Sequence, residues 1–483
     1  MLKTVFATLT IAGLVSLTSA YPDKDKVTTL DQFTDISFGL YSGYVPIDKT
    51  KKQIHYMAAL SKAGPLTSPN VIWFNGGPGC SSMLGFLQEH GPYALEDGAQ
   101  KFTPNKYSWN NEANMFYIES PADVGFSLCP DKTECKWDDE NTADDNLIAI
   151  LNILQKFPEI MNNDLYISGE SYAGIYVPKV MMRLDKYITE NTGKSVYIPN
   201  LKGFMVGNGV TNWKYDTTPA FIEMAYWHGL YDDDLYAVMQ KCDWSYYEFN
   251  LKPPTDECSK AMDRFNLLTS QINGYDVFGK CYTSTKAMEL YETNSEFGLS
   301  KVGGEFKAYK KFYSQADYTP WAHHAKNSAK KLKEIPPCVF AAPILTYLND
   351  AKVRQQLNID PTAGAWDLCN PVDYTSNQAG SVDVYTSLKG KYRMLKYSGD
   401  TDGSVPTYGT LQWIRELNWT VTDAWRPYYV MDDNGAQQVA GYVEVREGGF
   451  TFASVHGAGH MAPQWKRQQT YHAIFNFVKN QKL

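Results

Sequence analysis

The sequence predicts an α/β fold, in which a mostly parallel central sheet is flanked by helices and carries an inserted, mainly helical cap. Short apolar runs alternate with stretches of helical periodicity over residues 21–210, and the alternation returns over residues 341–483. Between them, residues 211–340 are rich in Tyr, Lys, Asp and Cys and contain helical stretches without a clear strand. Alternating strands and helices are typical of a parallel sheet with crossover helices. We therefore assign the interrupting segment to a cap.

Six apolar runs bounded by turn-forming residues predict strands of this sheet. They cover residues 71–74, 115–118, 165–168, 204–207, 392–397 and 452–455. Helices are predicted at residues 146–157, where Pro158 ends the apolar periodicity, at 172–187 and at 468–478. Residue 171 therefore falls at a turn from a strand into a helix.

Charge and hydropathy exclude two classes of partner. The formal net charge of -8 is spread along the chain, whereas a nucleic-acid-binding protein would have a clustered basic surface. After residue 20, no segment reaches the ~18 apolar residues needed to cross a bilayer. We expect neither a nucleic acid partner nor a membrane span.

The N-terminus is typical of a signal peptide. Lys3 precedes an apolar run over residues 5–17 and then Thr18-Ser19-Ala20, which predicts removal of residues 1–20. The expected destination is the secretory pathway, either a lysosome- or vacuole-like compartment or the exterior. The sequon Asn418-Trp419-Thr420 predicts a glycan on Asn418.

The eight cysteines fit an oxidising compartment. Cys129 and Cys135 are close enough in sequence to close a small loop, and the remaining pairings are open, since eight cysteines allow 105 connectivities. No cysteine or histidine spacing fits a zinc site, and we interpret the doublet His323-His324 as a solvated surface pair. No metal or cofactor is expected.

A candidate nucleophile lies at the turn around residue 171. The segment GESYAG, residues 169–174, places Ser171 between small residues after a strand and before a helix. This context exposes a serine hydroxyl above a sheet, and Ala173 takes the place of the usual last glycine of G-x-S-x-G. Alone, the pattern is weak, because ordinary strand-to-helix turns also produce it.

The partners of such a serine follow in the required order of acid and then histidine. SGDTDG, residues 398–403, offers Asp400 and Asp402, and HGAGH, residues 456–460, offers His456 and His460. His460 is the preferred base because it lies at the loop tip, whereas His456 is closer to the strand. The loop NGGPG, residues 75–79, offers backbone N–H groups for an oxyanion hole together with the Tyr172 amide.

These motifs resemble those of the serine carboxypeptidases, the group that includes cathepsin A. The resemblance rests on WFNGGPGCSS at 73–82, SGESYAG at 168–174, INGYDVFGKC at 272–281, WDLC at 366–369, YSGDTDG at 397–403 and HGAGHMAP at 456–463. It spans almost the whole chain after residue 20. It implies the α/β-hydrolase fold and removal of the C-terminal residue of peptides through an acyl-enzyme.

The resemblance also implies a role for each matching residue. It makes Ser171 the nucleophile, His460 the base and Asp402 its partner, with Asp400 structural. It places the oxyanion hole at the amides of Gly77 and Tyr172. It implies that the terminal carboxylate of the substrate is bound by Asn75, Gly76, Glu89 and Glu170, and that Met461 borders the leaving-group pocket. It also implies three disulfides: Cys80–Cys369, Cys242–Cys258 and Cys281–Cys338.

The predicted function is therefore a serine-type carboxypeptidase that is most active at acid pH. Two glutamates that keep a proton can donate hydrogen bonds to a carboxylate, and burial beside a like charge raises the pKa in that direction. Three alternatives remain: an acyltransferase of the same fold, an esterase, and a catalytically silent binding protein. The oligomeric state is open between a monomer and a homodimer.

Overall fold

The protein is described by a computed structural model that covers residues 21–249, 254–270, 272–281, 338 and 342–483. The predicted signal peptide, the His323-His324 doublet and much of the second half of the predicted cap lie outside these ranges. Within the described ranges, no helix combines the length and apolar character needed to cross a membrane.

Ten strands form the central sheet, and we number them in chain order. They are β1 (Leu40–Pro46), β2 (Gln53–Ala59), β3 (Asn70–Phe74), β4 (Asn114–Ile118), β5 (Leu165–Glu170), β6 (Leu201–Gly207), β7 (Arg393–Gly399), β8 (Val421–Met431), β9 (Gln437–Arg446) and β10 (Phe450–Val455). Their spatial order is β1-β2-β4-β3-β5-β6-β7-β10-β9-β8. The six central strands, β4, β3, β5, β6, β7 and β10, are parallel to one another. Two further strands continue the sheet at each edge in antiparallel orientation. The predicted α/β fold with a mostly parallel sheet is confirmed.

The helices of the described residues are numbered α1 to α11. They are Asp139–Gln155, Ala173–Asn191, Thr218–Trp227, Asp233–Met239, Asp256–Thr269, Ala342–Asn349, Ala351–Gln356, Val382–Leu388, Thr407–Glu416, Ala462–Trp465 and Arg467–Val478. Helix α1 begins before the predicted residue 146 because Asp138 caps it: the Asp138 carboxylate accepts the amides of Glu140 and Asn141, and the Asn141 side chain returns the contact. Helix α2 continues through Pro178 to Asn191.

The central strands are apolar on both sides because helices cover both faces of the sheet. In β3, Val71 and Trp73 join one core, whereas Ile72 and Phe74 join the core on the opposite face. Helices α1, α2, α8 and α9 pack on the Ile72 face, and α6 and α11 on the Trp73 face. Such continuous apolar runs explain why these strands are visible in the sequence.

The described part of the cap has its own small core. Residues of α3, α4 and α5 pack together there, including Ile222, Leu235 and Phe265. Cys242 and Cys258 form a disulfide in this region. The other disulfides are Cys80–Cys369, Cys129–Cys135 and Cys281–Cys338. Cys80–Cys369 ties the first part of the sheet to the second.

Candidate active site

The turn after β5 holds Ser171 in a conformation that few side chains adopt. Ser171 has φ +66° and directly follows the last strand residue, Glu170. The turn is sharp enough to require small neighbours: a Cβ on Gly169 would lie 2.5 Å from the Phe74 carbonyl oxygen, and one on Gly174 would lie 2.1 Å from that of Val210. The strand–turn–helix context matches a nucleophile elbow.

The glycine-rich loop after β3 packs directly against this elbow. A Cβ on Gly76 would lie 2.3 Å from the Tyr172 amide nitrogen and 2.8 Å from Ser171 Cβ. Only glycine permits so close an approach. Gly77 follows with φ +110°, another conformation suited to glycine. The loop thus brings the Gly77 amide to the same corner of the sheet as the Tyr172 amide.

His460 and Asp402 form a buried pair at the same edge of the sheet. His460 Nδ1 lies 2.8 Å from Asp402 Oδ2, and both side chains are almost completely inaccessible. The remaining acceptors of Asp402 are also used, because Oδ1 accepts the Ser404 amide at 2.7 Å and Oδ2 the Val405 amide at 3.0 Å. A carboxylate so placed holds the imidazole with a proton on Nδ1, which leaves Nε2 as the basic atom.

His460 Nε2 is buried and makes no hydrogen bond to any residue in the described ranges, Ser171 included. Contacts between nucleophile and base are often long without substrate and shorten when substrate binds.

A second histidine–aspartate pair lies beside the first but at the surface. His456 Nδ1 lies 2.8 Å from Asp400 Oδ2, and the Gly457 amide donates to Asp400 Oδ1 at 2.6 Å. The His456 side chain is 62% exposed. Each motif therefore supplies one buried residue and one more accessible residue, and the two buried residues pair with each other.

Glu89 and Glu170 meet in the interior next to the elbow. Asn75 Nδ2 donates to Glu89 Oε1 at 3.1 Å and to Glu170 Oε1 at 3.0 Å, and all three side chains are buried. Burial raises the pKa of Glu89 to about 7, against the opposing hydrogen bonds from Asn75 and Glu170. Burial, followed by the neighbouring Glu89 carboxyl, raises the pKa of Glu170 well above its ordinary value. The pair therefore holds at least one proton in acid solution.

The Oε2 atoms of Glu89 and Glu170 are buried and have no hydrogen-bond partner within the described residues. Buried polar atoms are almost always paired in folded proteins. Apart from the hydrogen bond between the two glutamates, these oxygens next to Ser171 lack a partner and are suited to contact a polar group of a ligand.

Comparison with known proteins agrees with this geometry. The model of the serine carboxypeptidase family matches residues 31–480. The chain belongs to the serine carboxypeptidase family. It is 33% identical to serine carboxypeptidase 1 of Hordeum vulgare over 92% of this chain and 90% of that protein. It is 31% identical to the lysosomal protective protein of Mus musculus, with 98% and 97% covered.

Comparison with solved structures also finds a carboxypeptidase of the same fold. The prohormone-processing carboxypeptidase KEX1(delta)p from Saccharomyces cerevisiae matches with a TM-score of 0.69 at 19% identity, over 95% of this chain and 96% of the other. The α/β-hydrolase fold and the assignment to a hydrolase family are thereby confirmed.

Asn208 is a residue of this candidate site that sequence reasoning missed. Its Nδ2 donates to Asp402 Oδ2 at 2.9 Å, and its Oδ1 accepts the Gly399 amide at 2.8 Å. It follows β6 directly and is buried. An asparagine directly after a parallel strand was the available signal, because such positions line the edge where sites form.

The segment at residues 272–281 of the predicted cap was quoted only as a family motif, yet it contacts the loops that carry Asp402 and His460. The His460 amide donates to the Tyr275 carbonyl oxygen at 2.6 Å, and the two rings meet edge to face at 4.7 Å. Thr401 Oγ1 donates to Asp276 Oδ1 at 2.8 Å, next to Asp402. The cap is therefore part of the support of the site.

Glu89 is positioned by contacts that sequence did not reveal. It ends a π-helical segment, Gly85–Glu89, whose backbone is held by Arg467: Nη2 donates to the Gln88 carbonyl at 2.9 Å and Nε to the Glu89 carbonyl at 3.2 Å. π-Helical segments are frequent at functional sites. Met461 follows His460, is buried and leads into α10.

The residues in the described ranges contain no group of three or more His, Cys, Asp or Glu side chains placed to hold a metal ion.

Proposed function

We propose that this protein is a serine-type carboxypeptidase that hydrolyses the last peptide bond of peptides and proteins through an acyl-enzyme. His460 Nε2 accepts the proton of Ser171 as Oγ attacks the scissile carbonyl carbon. The amides of Gly77 and Tyr172 stabilise the resulting oxyanion. His460 then protonates the leaving amine, and a water molecule, deprotonated by His460, releases the acyl group from Ser171.

The observation that carries this proposal is the buried group of Asn75, Glu89 and Glu170 beside the nucleophile. A free peptide C-terminus is a carboxylate, and a protonated glutamate and an amide NH₂ are hydrogen-bond donors suited to it. The Gly76 backbone lies against the same elbow and is assigned to this site as well. An esterase would have no use for buried acids that bind a carboxylate.

The test uses blocked dipeptides that differ only in having a free or an amidated C-terminus. We expect release of the free C-terminal amino acid, with much slower cleavage of the amide. Chromatographic identification of products in the presence of an alcohol also measures transfer. Exclusive formation of the ester with the alcohol, without hydrolysis, would identify an acyltransferase and contradict the proposal.

We place the leaving-group pocket at Met461 and expect a preference for apolar C-terminal residues. The support is the buried Met461 side chain directly after His460, because the flexible thioether adapts to apolar groups of different shape. A panel of blocked dipeptides that vary only in the last residue tests this preference. Faster release of Lys or Arg than of Leu or Phe would contradict it.

We propose that the protein enters the secretory pathway, where disulfides form, and reaches a lysosome- or vacuole-like compartment or the exterior. The four disulfides support an oxidising route. Asn418 is exposed in the turn after α9, as a glycan acceptor must be. A mass shift on glycosidase treatment of the secreted protein tests the site at Asn418, and light scattering distinguishes a monomer from a homodimer.

A further inference from the structure

Tyr397 in β7 has a hydroxyl group whose environment the proposed mechanism does not explain. The residue is completely buried, and its Oη has no hydrogen-bond partner within the described residues. A buried phenol normally finds a partner for its O–H. An unpaired hydroxyl next to a binding site is therefore a candidate functional group.

The register of the sheet directs this hydroxyl towards Glu170. Gly207 in β6 is the partner of Glu170 in β5 on one side and of Tyr397 in β7 on the other. A Cβ on Gly207 would lie 2.3 Å from Tyr397 Cζ and 2.5 Å from its Oη. The phenol ring therefore lies over Gly207, and a side chain at position 207 would block it.

The strand spacing places the hydroxyl near the glutamates. Glu170 and Tyr397 are separated by two strand spacings, roughly 9 to 10 Å between their backbones. The Tyr397 ring extends over the strand between them towards the Glu170 side chain, although the two form no hydrogen bond in this structure. Burial, followed by the charges of Glu170 and Glu89, raises the pKa of Tyr397 well above its ordinary value. Tyr397 therefore remains a hydrogen-bond donor.

The glutamate pair provides matching acceptors in its two Oε2 atoms, which accept no hydrogen bond from another residue in the described ranges. Charged or titratable groups from several other elements also act on the cluster: His460, Arg467, Asp402 and Tyr117. Among these groups and Tyr397, the Tyr397 Oη is the neutral donor without a partner in the described ranges.

We propose that Tyr397 is a positioning residue of the carboxylate-binding site, which donates its O–H across Gly207 to Glu170 when that carboxyl ionises and so sets the pH range over which the glutamate pair binds a free C-terminus. This inference rests on the proposed carboxypeptidase function. A donor stabilises the ionised carboxylate, so the hydroxyl lowers the pH at which the pair loses its proton. The substrate is therefore released from this site at a lower pH than the glutamates alone would give.

The test is KM against pH for Tyr397→Phe, which retains the ring over Gly207 and removes only the donor. We expect the rise of KM for a blocked dipeptide with a free C-terminus to move up by about one pH unit, the size of one hydrogen bond to a charged group. The value of kcat should be unchanged, as should the curve for the amidated dipeptide. Thermal unfolding checks that the variant is folded.

Tyr385→Phe is the matched control. Tyr385 is also a completely buried tyrosine, but it packs on the opposite face of the sheet, so loss of its hydroxyl should not move the curve. In a Glu170→Gln background, Tyr397→Phe should have no further effect on the pH midpoint.

Two results would separate the possible failures. If Tyr397→Phe and wild type give superimposable curves, or if the Tyr385 control shifts equally, the role of Tyr397 is wrong. If wild-type KM depends on pH in the same way for the free and the amidated dipeptide, the carboxypeptidase proposal itself fails.

Discussion

Ser171 and His460 are expected to act as one unit, because neither can start the reaction alone. Each of Ser171→Ala and His460→Ala should lower kcat by roughly 10⁴-fold or more, and the double variant should be no worse than the poorer single variant. Assays with a blocked dipeptide at acid pH measure this. His456→Ala, at the exposed pair, is the control and should retain near wild-type turnover. Additive losses in the double variant would contradict the proposed roles.

Substitution of the two aspartates of the SGDTDG loop should have different effects on activity and stability. Asp402→Asn keeps the shape but loses the charge that holds the His460 proton, so kcat should fall by about 10⁴-fold in a folded protein. Asp400 forms a partly exposed pair, worth about 1 kcal/mol or less, so Asp400→Asn should change the melting temperature slightly and kcat little. Steady-state kinetics and thermal unfolding of both variants measure these effects. The reverse result would mean that Asp400 is the catalytic partner.

Asn208 shows why some site residues escape sequence reasoning. Ser171 and His460 belong to local motifs in which neighbours in sequence reveal the chemistry. Asn208 contributes only through its contacts with Asp402 and Gly399, almost two hundred positions away along the chain. Such a role depends on the order of strands in the sheet, which the sequence alone does not state. The same is true of Arg467 behind Glu89.

Among the elements, the loop after β3 permits a sharp test of the oxyanion hole. Gly76→Ala would force a Cβ to within 2.3 Å of the Tyr172 amide nitrogen, so the loop must move away from the elbow. Loss of one oxyanion donor lowers kcat by about 10²- to 10³-fold, and we expect a loss of at least this size.

Gly364→Ala is the control for this substitution, because nothing lies within 4 Å of a Cβ there and no positive φ is involved. Its kcat and melting temperature should match those of the wild type. Unchanged kcat in a folded Gly76→Ala variant would contradict the placement of the oxyanion hole.

The six central strands were predicted well, and the strands at the two edges of the sheet were not. These strands lie within a few residues of their predicted positions. Helices cover both faces of the sheet there, so every position of a strand such as 71–74 must be apolar, and the run is visible in the sequence. The β8–β9 hairpin was missed. Half of its positions are exposed and carry mixed side chains such as Thr422, Asp423 and Arg426, so neither a continuous apolar run nor strict alternation appears. The β1–β2 pair was missed as well, although it is almost completely buried, because polar residues and a glycine such as Ser42, Gly43 and His55 interrupt its apolar residues.

For the whole molecule, acid should favour substrate binding. The glutamate pair must hold a proton to donate to a carboxylate, and the pKa of Glu89 is about 7. Glu89 therefore keeps its proton below about pH 7 and loses it as the pH rises through that value. KM for a substrate with a free C-terminus should therefore rise across neutral pH while kcat holds.

Steady-state kinetics from acid to mildly alkaline pH measure this dependence. An amidated substrate is the control and should show no such rise. Glu170→Gln retains a donor that does not titrate, so its KM should be higher in acid but flatter with pH.

The same raised pKa links pH to stability. The folded protein binds a proton at Glu89 that the unfolded chain, with an ordinary value near 4.5, has already released at higher pH. The free energy of unfolding contributed by this group is greatest below about pH 4.5 and is lost as the pH rises through about 7. Chemical unfolding at several pH values should show this fall, and Glu89→Gln should reduce it. A pH dependence identical in the variant would contradict it.

The parallel sheet is completed by strands from both ends of the chain, and this has a consequence for biosynthesis. Ser171 leaves the ribosome after β5, whereas His460 emerges only after the cap, β7 and β10 have been made. During all that time the nascent chain has the proposed nucleophile without its base, and the Cys80–Cys369 bond cannot form until Cys369 has emerged, after the predicted cap. Under the proposed mechanism, the growing polypeptide cannot cleave the C-termini of neighbouring proteins. The chain order of Ser171 and His460 therefore delays activity until synthesis is almost complete.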